Sequence, residues 1–126
     1  MGVIMDEYSP RRRDIAELKY LCEKLIHEAL SVLNRTDNHW SHDLTSEKSL
    51  KLNELIEHIT AFVWNFKIKY TDNYDLSTLI DDYLDETYNL FGNDKISFPE
   101  LTQWQRTNEH LANILSHDLN VSLSKT

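Results

Sequence analysis

The sequence predicts an all-α fold, a single-domain up-down four-helix bundle, and three observations carry that expectation. Apolar residues recur at three- and four-residue steps through the longest stretches of the chain, the period of an amphipathic helix. Among 126 residues there are two glycines and two prolines, too few turn formers for an all-β fold. The connections between the periodic stretches are short, which favours sequential antiparallel packing. With 40% hydrophobic and 10% aromatic residues, the chain is not a disordered acidic tail. A chain of this length suits one domain and buries about two-thirds of the surface its unfolded form exposes.

The first helix is expected over residues 10–34. Ser9-Pro10 supplies a hydroxyl N-cap and a proline at the first helical position, where the missing N–H costs nothing. Ile15, Leu18, Leu21, Cys22, Leu25, Ala29 and Val32/Leu33 form its apolar stripe. Residues 34–45 read as a polar connection holding Trp40. The second helix is expected over 46–70, burying Leu52, Leu55, Ile56, Ile59, Phe62, Val63 and Phe66. The third covers 75–91, with Leu76, Leu79, Ile80, Tyr83, Leu84, Thr87, Leu90 and Phe91 inward, and Gly92 offers it a left-handed cap. Ser97-Phe98-Pro99-Glu100 is a capping box that opens the fourth helix, expected over 98–117. That helix buries Leu101, Trp104, Leu111, Ala112 and Leu115. The bundle domain is thus expected over residues 5–119. Residues 1–4, which precede a second methionine, and 120–126 are expected as flexible termini.

Charge is distributed unevenly. Asp72, Asp75, Asp81, Asp82, Asp85, Glu86 and Asp94 lie between Thr71 and Asp94 with no Lys, Arg or His, so this segment holds seven of the eight net negative charges. Asp81/Asp85 and Asp82/Glu86 stand four apart, a spacing that costs an isolated helix roughly 0.2–0.5 kcal/mol per like-charge pair. If Leu79, Ile80, Tyr83, Leu84 and Thr87 face the core, Asp75, Asp81, Asp82, Asp85 and Glu86 form a face for a basic protein partner. A merely solvated, solubilising surface is the competing reading.

Catalytic and cofactor signals are weak, and no catalytic residue, metal or cofactor is assigned. Paired carboxylates need divergent environments to serve as acid and base, and these read as exposed. His39 and His42 have a spacing open to a metal, but no third ligand has an obvious place beside them. A small metal-binding or enzymatic bundle using them is the alternative function class. Gly2 and Gly92 alone make no phosphate loop. Arg11-Arg12-Arg13 is the one basic run, with Asp6, Glu7, Asp14 and Glu17 near enough to neutralise it, and a formal charge of -8 argues against nucleic acid. No apolar run suits a membrane, no leader pattern is apparent, and a lone cysteine fits a reducing cytoplasm. Cys22 sits on the apolar stripe, flanked by Glu23 with Lys19 as its near cation, and reads as a small buried hydrophobe.

Three blocks carry a resemblance. The first is Met5 to Pro10, then Arg13-Asp14-Ile15-Ala16, Leu18-Lys19, Leu21-Cys22-Glu23 and His27. The second runs from Leu52 to Ile59 with Phe62 and Lys67-Ile68-Lys69-Tyr70, and the third joins Ile80-Asp81, Tyr83-Leu84-Asp85 and Leu90-Phe91. In order and spacing, from Met5 to about Trp104, the chain resembles the TomB/YmoB family of Hha toxicity modulators. The resemblance implies a cytoplasmic antitoxin that attenuates an Hha/YmoA-type regulator and, through it, acts indirectly on H-NS and on virulence and biofilm genes. It also implies an oxygen-dependent role for Cys22, in tension with the buried reading unless the partner or local opening exposes the thiol.

Overall fold

The computed structural model describes residues 10–70 and 74–124. The expected Ser9 cap, Asp72, residues 1–4 and the end of the chain at 125–126 lie outside the described residues. Among the described residues, four helices form in the predicted order: α1 (Pro10–Val32), α2 (Glu47–Lys69), α3 (Tyr74–Phe91) and α4 (Phe98–Ser124). Three short strands join them: β1 (Asn34–Arg35) and β2 (His39–Ser41) between α1 and α2, and β3 (Lys95–Ser97) between α3 and α4.

The bundle closes as a ring, α1 against α2 and α4, α3 against α2 and α4. Its core is the set of stripes read from the periodicity. Ile15, Leu25, Ile59, Leu111 and Leu115 are wholly buried, and Cys22, Tyr83 and Trp104 nearly so, while Phe62, Leu79 and Ala112 are half-buried at the margin. Aromatic rings fill the α3–α4 side. Tyr83 stacks on Trp104 with centroids 6.2 Å apart, and Phe91 meets Trp104 edge-on at 5.0 Å. The indole Nε1–H of Trp104 donates to Thr87 Oγ1 at 2.8 Å, and that hydroxyl donates to the Tyr83 carbonyl at 2.7 Å. No polar atom of Thr87 or of the indole is therefore left bare in the core.

Helix ends follow local chemistry where side chains reach the backbone. The capping box is reciprocal: Ser97 N–H donates to Glu100 Oε1 and Glu100 N–H to Ser97 Oγ, each at 3.2 Å. Ser46, in extended conformation, caps α2 by accepting from the Ser49 N–H. Gly92 departs from expectation, because no described residue has positive φ. Its N–H instead continues the helical ladder to the Tyr88 carbonyl at 3.0 Å. A Cβ at Gly92 would come within 2.9 Å of that same carbonyl oxygen, so close approach rather than left-handed geometry selects glycine. The Asn93 side chain then donates to the Asn89 carbonyl and ends the turn. Helix α4 also runs past His117 to Ser124, and α1 stops at Val32.

The sheet is the main departure from the sequence expectation. Residues 34–41 form a hairpin, pairing Asn34 with Ser41 and Arg35 with Trp40. Strand β2 then pairs antiparallel with β3, matching His39 to Ser97, Trp40 to Ile96 and Ser41 to Lys95. Because α1 and α3 end where α2 and α4 begin, this sheet lies across one end of the bundle. Ile96 is fully buried there, and Trp40 meets Phe98 edge-on at 5.7 Å. Two- and three-residue strands carry too little alternation to be read from a chain, and the paired residues of β2 and β3 lie more than fifty positions apart.

Candidate docking face and the buried thiol

Helix α3 carries the predicted acidic residues, and packing against two neighbours divides them. Leu76, Ile80, Tyr83, Leu84 and Thr87 point into the core, which turns Asp75, Asp81, Asp82 and Asp85 to solvent and leaves Glu86 half-buried. Asp81 leans toward α2, where Lys67 Nζ donates to both of its carboxylate oxygens at 2.8 Å. The segment has no cation of its own, so this compensation comes from another helix. Asp82 and Glu86 lie along α4 instead, and Asp85, one turn from Asp81, stands between the two sides. With Leu79, Asn89 and Thr107 they border a shallow groove of about 430 Å³. The groove continues past Glu86 into one of about 580 Å³, with Leu90, Pro99 and Trp104 beneath and Asn89, Asn93, Glu100 and Gln103 around it.

Among the described residues, Asp82, Asp85 and Glu86 have no cation within ion-pair distance. Three carboxylates beside amide side chains and an apolar floor suit Lys or Arg side chains, whose stems lie on apolar surface while the heads meet carboxylate. Asp75 stands exposed in the first turn of α3, where a carboxylate complements the helix dipole. The five predicted residues are therefore not one patch. Three share the α3–α4 groove, Asp81 is drawn to the α2 side, and Asp75 keeps to the helix start. Asn89, Asn93 and Glu100 were missed as groove residues. Asn89 and Asn93 continue the four-residue ladder from Asp81 and Asp85, a signal present in the sequence, whereas Glu100 and Gln103 arrive only through packing.

Cys22 is 1% exposed in the middle of α1. Burial, and then the neighbouring Glu23 charge, push its thiol from 9.0 up to about 12. A thiolate, the reactive form, is therefore scarce at neutral pH in the closed bundle. Across the core, the Tyr83 phenol is also pushed up, first by burial and then by the Cys22 charge. This side of α1 is built to keep ionisable groups neutral.

The two loop histidines do not act as a pair. His42 is buried, and its Nε2–H donates to the Asn93 carbonyl at 2.7 Å while Nδ1 meets Ser49 Oγ at 3.1 Å. With the His42 N–H donating to the Asp94 carbonyl at 3.0 Å, this residue fastens the α1–α2 connection to the α3–α4 connection. His39 turns to Asn38 Oδ1 at 2.8 Å on the exposed side. Among the described residues, no group of three His, Cys, Asp or Glu side chains is placed to hold a metal ion. At the far end, Asp14 accepts from the Tyr70 hydroxyl at 2.7 Å and lies 3.6 Å from the Lys69 ammonium, so it ties α1 to the end of α2. Arg11 lies 5.8 Å over the Tyr70 ring.

Residues 5–122 match the protein family described as "Biofilm formation regulator YbaJ". This chain belongs to that family. The YbaJ-family assignment agrees with the three blocks of sequence resemblance, and relatives support it along most of the chain. The Hha toxicity modulator TomB of Escherichia coli K12 is 48% identical over 107 residues, which is 85% of this chain and 86% of the relative. The TomB of Escherichia coli O157:H7 matches to the same extent. A solved structure described as "3D structure of YmoB, a modulator of biofilm formation" superposes with a TM-score of 0.71 at 52% identity. That match covers 89% of this chain and 92% of the other. In this YbaJ-family chain, no described helix is long and apolar enough to cross a membrane.

Proposed function

We propose that this chain binds an Hha/YmoA-type nucleoid-associated regulator and attenuates it, as an antitoxin-like modulator acting without catalysis in the cytoplasm. The observation that carries this reading is the α3–α4 groove, where Asp82, Asp85 and Glu86 lack cation partners among the described residues, in a relative of proteins named Hha toxicity modulators. A basic helical partner suits that groove, and H-NS is then affected through the partner rather than by contact. The chain's formal charge of -8 opposes direct binding to nucleic acid. An oxygen-dependent role for Cys22 requires opening of the bundle or engagement of the partner, because the closed state buries the thiol and keeps it protonated.

The test is a pull-down with the Hha-type protein of the same genome, followed by association kinetics at low and moderate salt. Replacing Asp82 and Asp85 with Asn and Glu86 with Gln lowers the association rate and flattens its salt dependence, with the fold intact. Asp81→Asn has the smaller effect, since Lys67 already neutralises that carboxylate. Equal rates for wild type and triple variant at both salt concentrations would refute the assignment of the groove.

A further inference from the structure

On α2, the core stripe leaves out three large apolar residues, Leu50 near the start of the helix and Trp64 and Ile68 near its end. Trp64 is 67% exposed and Ile68 64%, one turn apart on the face turned from the bundle. Two rungs between α2 and α3 locate them. The Thr60 and Tyr88 hydroxyls meet at 3.0 Å, and Lys67 bridges to Asp81 at 2.8 Å. Trp64 follows Thr60 by one turn and precedes Lys67 by one. On the antiparallel helix, Asp85 follows Asp81 by one turn and precedes Tyr88 by one. Trp64 and Asp85 therefore stand at the same level of the α2–α3 seam, between the rungs. Tyr88, at 46% exposed, extends the patch toward the sheet end of the bundle. Single exposed apolar residues need no explanation, but a tryptophan, a tyrosine and an isoleucine on one seam form a contiguous surface.

We propose that this α2–α3 face is the apolar anchor for the same basic partner, an inference that rests on the function proposed above. Charge selects that occupant over a second copy of the chain. Among the described residues, Lys67 is the lysine on the seam and is held by Asp81, while Asp85 at the edge of the patch has no cation partner. Two copies would bring like-charged Asp85 edges together on molecules of formal charge -8. A helix bearing Lys or Arg beside apolar side chains meets both needs. Its cation reaches Asp85, and its stem or guanidinium plane lies on the Trp64 ring. The two surfaces then divide the work: carboxylates on α3 guide encounter, and Trp64 with Ile68 and Tyr88 sets how long the complex lasts.

The experiment measures association and dissociation of the full chain with the Hha-type protein of its own genome, at low and moderate salt. Trp64→Ala and Ile68→Ser are the probes, and circular-dichroism melts confirm that these exposed sites leave the fold unchanged. Trp64→Ala should raise the dissociation rate about tenfold or more, nearly independent of salt, with association almost unchanged. Ile68→Ser should move it in the same direction, and Trp64→Phe should restore most of the residence time. If Trp64→Ala and Ile68→Ser dissociate like wild type while the Asp82/Asp85/Glu86 variant still associates slowly, the anchor is wrong and charge-guided binding stands. Binding by none of the proteins overturns both readings. Self-association in sedimentation that Trp64→Ala abolishes, with unchanged partner kinetics, assigns the patch to a second copy and overturns the proposal.

Discussion

Replacing Thr87 with valine exchanges one buried hydroxyl for a methyl group of nearly the same shape. Thr87 is fully buried, so the methyl occupies space already packed. What changes is the partner of the Trp104 indole, whose N–H donates to Thr87 Oγ1 at 2.8 Å and is itself in a residue 1% exposed. Leaving that donor without an acceptor costs roughly 1–3 kcal/mol. Burying a methyl in place of a hydroxyl returns up to about 0.8 kcal/mol, so the net loss is about 1–2 kcal/mol. The Tyr83 carbonyl loses only a supplementary donor and adds little. For a chain of this size, a loss of 1–2 kcal/mol lowers the melting temperature by about 4–8 °C. Urea unfolding followed by far-ultraviolet circular dichroism measures the free energy, with Trp104→Phe and the double variant completing a cycle. In the Trp104→Phe background no indole N–H remains, and Thr87→Val should then cost less than about 0.5 kcal/mol. An equal cost in both backgrounds, or a negligible one in wild type, would refute the hydrogen-bond argument.

Two further outcomes are expected alongside those for the carboxylate groove and Trp64. His42→Ala removes the acceptor facing Ser49 and the donor to Asn93, so thermal melts should show a loss of about 1–3 kcal/mol and amide exchange should quicken in β3. A variant melting within about 2 °C of wild type would show that the two connections hold without it. The thiol supplies a pH test: unfolded Cys22 loses its proton near 9.0, and folded Cys22 keeps it until about 12. Between those values the folded state binds more protons, so stability present below pH 9 declines as pH rises, by up to about 4 kcal/mol. In denaturant titrations at pH 7, 9 and 10.5, Cys22→Ala should decline less steeply than wild type, both retaining the contribution of Tyr83. Parallel declines would mean that the thiol ionises in the folded chain as readily as in the unfolded one.

Helix identity, order and inward faces were legible in the sequence, because a 3.6-residue period is written in neighbouring positions. The stripe from Ile15 to Val32, the inward set on α3 and the Ser97–Glu100 box all depend on residues a turn or so apart, and each formed as read. Family membership was legible as well, since three blocks kept their order and spacing. Gly92 shows the boundary of such reading. A glycine after a helix suggests a left-handed cap, but only the closeness of the Tyr88 carbonyl reveals why glycine is needed. The sheet, the role of His42 and the fate of the acidic run were set by tertiary structure. His39 pairs with Ser97, and His42 with Asn93, across half the chain, and no local pattern encodes such contacts. The seven acids announced a charged segment. Lys67, arriving from α2, withdrew Asp81 from it, and α4 gathered Asp82, Asp85 and Glu86 into a groove. Sequence determined which side chains each helix turns outward, because that follows from local periodicity. Only the packing of one helix beside another decided which of those side chains meet, because distance across a seam is a property of two segments together.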